Sequence, residues 1–247
     1  MSSLILAIAI LLMALLYSSV GHGGGSGYLA ALALFGVAPS VMKPTALVLN
    51  ILVAGIATIQ FYRSGLFSWR AFWPFAVASI PMAFIGGSIK LPNEIYKQLV
   101  GVVLIFAAYR LWLSYSSRSE ARQTGEARLP PIYLAMLVGT GIGFLSGLTG
   151  VGGGIFLSPL LLLLRWAEVR QTAAVSAGFV LVNSIAGLTG NPASVQNLPW
   201  QISFWAIAAI IGGLVGSELG RRRLATLTLR RLLSVVLVIA GLKLIFV

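Results

Sequence analysis

The chain has 247 residues, of which 58% are hydrophobic and only 9% charged, whereas soluble domains carry about a quarter charged residues. It has no cysteine, one histidine and five acidic residues that are all glutamates. These counts exclude disulfide frameworks, thiolate zinc sites and paired-aspartate chemistry. In a soluble protein, a net charge of +12 would indicate binding to nucleic acid. This composition instead favours a membrane protein without a nucleic-acid partner.

Ten apolar runs, each bounded by glycine, proline, asparagine or charge, predict an all-α protein that crosses the membrane several times. In chain order the runs are residues 3–20, 24–38, 44–61, 72–89, 96–114, 131–149, 152–165, 172–190, 203–219 and 230–247. A long polar stretch separates five runs from five. We therefore divide the chain into a first membrane repeat at 3–114, a cytoplasmic linker at 115–130 and a second membrane repeat at 131–247.

A glycine-rich motif occurs once in each half, after one apolar run and before the next. Residues 21–25 read Gly-His-Gly-Gly-Gly, and residues 150–154 read Gly-Val-Gly-Gly-Gly; we call them the first and second glycine boxes. A cation follows each box at similar spacing, at Lys43 and at Arg170. An internal duplication explains this pattern, and because five is an odd number, the second repeat is predicted to be inverted.

The positive-inside rule gives the predicted orientation. With the linker in the cytoplasm, all 13 arginines lie inside and all four lysines lie outside. This orientation places both termini on the extracytoplasmic side. The expected location is a cell membrane, specifically a bacterial inner membrane.

The apolar runs flanking each box are too short for two full crossings. Residues 3–38 reach about 54 Å as helix, less than two crossings of about 30 Å and a turn require. Both helices of each pair are therefore expected to fall short, as short helical hairpins with glycine tips recessed in the membrane. In inverted repeats the two tips point towards one another.

A helix follows each box, and the amides of its first turn lack intrahelical acceptors. These free amides and the positive end of the helix dipole predict a binding site for an anion. Hydroxyl, amide and imidazole groups nearby complete the predicted binding set. That set is Gly23, Gly24, Gly25, Ser26, Ser19, His22, Asn50, Thr149, Gly152, Gly153, Gly154, Ser176 and Asn183. The alternative is that the boxes only allow close packing.

Charged residues near the hairpins have two interpretations. Lys43, Arg165 and Arg170 either attract anions to the entrances or anchor the chain to lipid headgroups. His22, the only histidine, either couples protons or packs as a capping residue. Glycines spaced four apart, at 139, 143 and 147 and again at 212, 216 and 220, are typical of close helix packing in membranes.

The chain resembles the TauE/SafE family of membrane transporters. The resemblance rests on the duplicated boxes, each of which opens a short helix, on the Ala/Thr-rich helix after each box, and on Pro159 after the second box. The resemblance covers nearly the whole chain and implies a secondary transporter that exports sulfite or an organosulfur anion by alternating access. It implies neither enzyme activity nor a cofactor.

Two other function classes remain open. One is an anion channel. The other is an intramembrane serine hydrolase that uses Ser26 beside His22. The small anion and the lipid bilayer are the expected partners, and a homodimer is possible. All five glutamates lie at predicted helix ends or in loops, so we expect export driven by the membrane potential rather than by an acidic coupling site.

Overall fold

The computed structural model describes residues 2–113, 130–222 and 227–246. Within them the chain forms ten α-helices, one short 3-10 helix at Pro192–Asn197, and no strand. The helices are α1 Ser2–Ser18, α2 Gly25–Leu34, α3 Pro39–Arg63, α4 Trp69–Ser88, α5 Asn93–Leu113, α6 Ile132–Thr149, α7 Gly154–Leu163, α8 Val169–Thr189, α9 Ile202–Arg222 and α10 Leu227–Phe246. This confirms the predicted all-α class. Nearly all of the predicted linker at 115–130 lies outside the described residues.

Each of the ten apolar runs corresponds to one helix, although some boundaries differ. The largest difference at a helix start is in α3, which begins at Pro39 instead of residue 44. Proline is tolerated in the first turn of a helix, where its missing N–H has no intrahelical acceptor. The predicted start of this helix was therefore too late.

Six helices of the described chain, α3 to α6, α8 and α9, are long and apolar enough to cross a membrane. The helix after each box is much shorter, since α2 and α7 have 10 residues each and reach only about 15 Å. The expected shortfall therefore lies mainly in α2 and α7. For α6, with 18 residues, the prediction that it falls short was wrong.

The glycines spaced four apart lie at two tight helix contacts. On α6, a Cβ added at Gly139, Gly143 or Gly147 would collide with the backbone of α4 at Phe75, Ser79 and Ala83 respectively. Residue numbers rise together along this contact, so α4 and α6 run parallel. The predicted packing role of these glycines is confirmed.

The second tight contact joins α9 to α1. Added Cβ atoms at Gly212, Gly216 and Gly220 would collide with carbonyl oxygens of α1 and of Ser19, which directly follows it. Here too the residue numbers rise together, so α1 and α9 run parallel. Their glycines are likewise confirmed as packing positions.

Two further helix pairs are antiparallel. Gly55 of α3 lies near Leu181 of α8, and Gly187 lies near Leu47; the residue numbers run in opposite senses, so α3 and α8 are antiparallel. The same holds for α5 and α10, where Gly101 meets Ile245 and Gly241 meets Ile105. The α3/α8 crossing places the middle of both helices beside the glycine boxes.

Candidate functional site

The two glycine boxes have matching backbone conformations. The first, third and fourth residues of each box have positive φ, between +73° and +118° in the first box and at +86° to +87° in the second. L-amino acids with a Cβ rarely adopt such angles, whereas glycine adopts them freely. Gly24 and Gly153, which precede α2 and α7, are both left-handed. The repeated motif therefore encodes a repeated turn.

The two boxes meet in the interior of the protein. A Cβ added at Gly25 would collide with the carbonyl oxygen of Val151. One added at Gly154 would lie 3.4 Å from the Cα of His22. All ten box residues are buried except His22, which is partly exposed. The hairpin tips thus touch, and in this conformation the space between them is closed.

Each tip presents backbone donors that the fold leaves unused. Among the described residues, no hydrogen bond is made by the amides of Gly25 and Ser26 at the start of α2, or of Gly154 and Ile155 at the start of α7. The first amides of any helix lack an intrahelical acceptor. Two such ends together form a concentrated group of donors with a positive potential.

Two long helices provide side chains beside the tips. Asn50 of α3 donates from Nδ2 to the Gly150 carbonyl over 3.3 Å, which links the first half to the second box. From α8, the Val180 methyls contact both boxes, and the Ser184 hydroxyl lies 3.3 Å from the Cβ position of Gly152. Asn50 Oδ1 and Ser184 Oγ are fully buried without a hydrogen-bond partner in the described chain.

A chain of hydrogen bonds starts at His22. Its Nε2 lies 2.8 Å from the Ser158 hydroxyl of α7, which lies 2.8 Å from the Ser176 hydroxyl of α8. The histidine of the first box is thus tied to two helices of the second half. The imidazole Nε2 is thus engaged by Ser158 of the second half.

The remaining predicted residues have different roles in the fold. Ser19 donates to the Leu16 carbonyl of its own helix over 2.7 Å. Thr149 donates to the Leu145 carbonyl over 2.7 Å, and its main-chain oxygen accepts from the Tyr96 hydroxyl. Ser26 is buried in α2, and Asn183 is buried in α8 without a partner for either amide atom. Ser19 and Thr149 therefore shape the turns, whereas Asn183 has unused hydrogen-bonding capacity.

The predicted entrance cations are not equivalent. Lys43 is partly buried, and its ammonium donates to the carbonyls of Gly86 and Gly87 at the end of α4. Arg165 and Arg170 are exposed at the two ends of the α7–α8 connection. Arg165 follows the end of α7 with φ +56°, a position that usually suits glycine. Lys43 contacts the second box, through its main chain and Cγ beside Gly150.

Sequence reasoning missed Ser158, Val180 and Ser184. A signal was available, because Ser176, Val180 and Ser184 are spaced four apart and therefore share one face of α8. Ser158 likewise lies one turn after Gly154. A search one helical turn away from the predicted set would have found Ser158 and Val180, and one further turn along the same face of α8 reaches Ser184.

An apolar groove of about 630 Å³ lies elsewhere, between α4 and α8. It is lined by Ile80, Pro81, Phe84, Ile85, Val182, Ile185, Ala186 and Thr189. None of these is a predicted site residue. Its one hydroxyl, that of Thr189, already donates to the Ile185 and Ala186 carbonyls of its own helix, so the polar groups at the hairpin tips remain the candidate site.

Comparison with known proteins agrees with this architecture. The model of the family "Sulfite exporter TauE/SafE" matches residues 6–244. The chain is 43% identical to "Probable membrane transporter protein y4hK" of Sinorhizobium fredii, over 98% of this chain and 97% of that protein. It is 25% identical to "Probable membrane transporter protein YunE" of Bacillus subtilis, over 100% of this chain and 98% of that protein. No solved structure matches the chain significantly.

The family and its relatives indicate a membrane transporter and not an enzyme. The apolar helices long enough to span a bilayer fit a multi-pass membrane protein. The chain therefore belongs to the TauE/SafE family of membrane transporters.

Proposed function

We propose that this protein exports a small anion, sulfite or an organosulfur anion, across the bacterial inner membrane by alternating access. The observation that carries the proposal is the meeting of two helix N-termini, with unused amides and buried polar side chains, at the tips of two hairpins. Helix N-termini at the membrane midplane are a recurrent way to hold an anionic group in secondary transporters.

The proposed mechanism needs two inverted repeats, and the helix directions support them. Inversion requires each helix to run opposite to its counterpart in the other half. The counterparts α3 and α8 are antiparallel, as are α5 and α10. Because such repeats can exchange conformations, a closed site can open to either side.

The two short helices differ in how firmly they are held. All residues of α2 from Gly25 to Ala33 are buried, and the Lys243 ammonium of α10 donates to the Leu34 carbonyl at its end over 2.9 Å. In contrast, α7 packs mainly on α8, and Leu163 at its end is 69% exposed. We therefore assign the larger movement to α7, with the His22–Ser158 hydrogen bond breaking as the tips separate.

The distribution of charge supports export by the membrane potential. In the described chain Glu94 and Glu168 are exposed at helix starts, and Glu218 lies in the last turns of α9. An inside-negative potential drives each negative charge outward by about 2.3 kcal/mol per 100 mV. No buried carboxylate is required for this coupling.

The closed tips favour a carrier over an anion channel. A channel requires a continuous polar path, whereas here Gly25 packs against Val151 across the centre. A carrier closes its site between two openings. Stimulation of efflux by anion on the opposite side distinguishes the two classes, because a carrier shows it and an open channel does not.

The test uses purified protein in proteoliposomes loaded with sulfite or a short sulfonate. We expect saturable efflux that slows when the membrane potential is collapsed. Efflux at a rate independent of the potential would contradict the proposed coupling.

The binding site is tested by substitution. Ser184→Ala is expected to weaken anion binding, because it removes an unused hydroxyl beside the second box. Ser217→Ala is the matched control, since that buried hydroxyl bonds to the Gly213 carbonyl of its own helix. Equal binding by both variants and the parent would refute the site.

A further inference from the structure

Asn50 and Val180 occupy equivalent positions in the two halves. Each lies 11 residues after the first residue of its helix, Pro39 in α3 and Val169 in α8. Both are fully buried. The halves therefore place an amide and an isopropyl group at the same place relative to the boxes.

Both side chains contact both boxes. Asn50 Nδ2 lies 2.6 Å from the Cβ position of Gly25 and 2.9 Å from that of Gly152. Val180 Cγ1 lies 2.6 Å from the Cβ position of Gly23 and 2.7 Å from that of Gly152. The space between the tips thus has one wall from α3 and one from α8.

The two walls differ in chemistry. Asn50 has an amide oxygen without a partner among the described residues, and its NH2 group can donate to a ligand. Val180 offers only methyl groups and can neither donate nor accept. An anion bound here finds donors on the side of Asn50 and the helix ends, and an apolar surface on the side of Val180.

The positive potential of the site comes from backbone dipoles. Among the atoms nearest to the box glycines, the described residues contribute no lysine or arginine nitrogen; Lys43 touches Gly150, but its ammonium is bound to Gly86 and Gly87. Two helix N-termini supply about half a positive charge each. Together they balance about one negative charge, which favours a monoanion over a dianion.

We propose that Val180 is a specificity-determining residue, and that the site selects a monoanion with an apolar group over a tetrahedral dianion. The oxygens face the amides and Asn50, and the apolar group faces Val180. A sulfonate with a short alkyl group has this chemistry, whereas sulfate has oxygens on every side and two charges. This inference rests on the proposed anion site.

The test compares methanesulfonate with sulfate, two tetrahedral anions of similar size, in calorimetric binding to the purified full chain. We expect the parent to bind methanesulfonate at least about tenfold more tightly, as apolar contacts and unpaired polar groups produce discrimination of that order. Val180→Thr keeps the side-chain shape and adds a hydroxyl, and it should reduce this preference by about tenfold. Val182→Thr, the same substitution on the same helix but in the apolar groove, should leave the preference unchanged.

The outcomes separate this inference from the proposed function. Equal affinity of the parent for both anions, or an unchanged preference in Val180→Thr, would overturn the role of Val180 while anion transport stands. An equal change in Val182→Thr would also overturn it, because the effect would then not depend on contact with the boxes. If the parent neither binds nor transports methanesulfonate, sulfite or sulfate, the proposed function itself fails.

Discussion

The contact between the hairpin tips can be tested with one methyl group. Gly25 and Gly154 are equivalent residues, each the first of its short helix and both buried. Neither has a positive φ, so alanine at either position causes no backbone strain. At Gly25 the new Cβ would collide with the Val151 carbonyl of the opposite tip and lie 2.6 Å from Asn50 Nδ2. At Gly154 its close neighbour is a Val180 methyl at 2.7 Å, and the nearest backbone atom is 3.4 Å away.

These contacts set the expected magnitudes. A methyl group forced against fixed backbone in a packed interior costs about 1–3 kcal/mol. The Asn50 side chain beside the new methyl can shift, which places the cost in the lower part of this range. Gly25→Ala should therefore destabilise the closed tips by about 1–2 kcal/mol, which is about a 5- to 30-fold change in the equilibrium between closed and separated tips. Gly154→Ala should change it only slightly, because the Val180 side chain can shift.

The assay uses the absence of native cysteine. A single cysteine in place of Ser184, which is fully buried beside the second box, reports separation of the tips through its rate of reaction with a small thiol reagent. We expect Gly25→Ala to raise this rate about 5- to 30-fold, in proportion to the open population, and Gly154→Ala to leave it near that of the parent. Thermal unfolding in detergent checks that both variants are folded.

Two results would refute the reasoning. Equal rates in Gly25→Ala and the parent would mean that Gly25 and Val151 are not in contact. Equal acceleration in both alanine variants would mean that any added volume at the tips opens them, and that the asymmetry between backbone and side-chain contacts is unimportant.

Three further predictions concern the supports of the site. Arg165→Gly should raise thermal stability by up to about 1 kcal/mol, because φ +56° is strained for arginine; an unchanged or lower unfolding temperature would contradict this. Lys243→Met should remove the donor to Leu34 and leave the carbonyl of that residue unpaired, at a cost of about 1–3 kcal/mol, so α2 should exchange amide hydrogens faster than in the parent. Gly143→Leu should disrupt the parallel α4/α6 contact at Ser79 by about 1–3 kcal/mol or more, whereas Gly141→Leu, where an added Cβ meets open space, should be tolerated in the same unfolding measurement.

Much of the secondary structure could be predicted because it follows from local patterns. The ten helices correspond to ten apolar runs, since an apolar segment in lipid satisfies its own backbone by forming a helix. The turns at the boxes follow from glycine at positions with positive φ. The packing of Gly139, Gly143 and Gly147 follows from their spacing of four. Each of these inferences needs only residues that are close in sequence.

The partners of the site residues could not be predicted in the same way. Asn50 bonds to Gly150, 100 positions away, and His22 bonds to Ser158, 136 positions away. The sequence indicates that these side chains can form hydrogen bonds, but it does not indicate with which distant residues. Which of them meet depends on how α3, α7 and α8 cross.

The amino-acid sequence by itself determined a membrane protein with ten helical segments, because hydrophobicity and glycine act on the chain locally. Only the tertiary structure decided that the two glycine boxes touch, that Val180 and Asn50 both contact them, and that α2 is enclosed while α7 is partly exposed. The physical reason is that close packing depends on the shapes of distant segments together. No single segment of the chain contains that information.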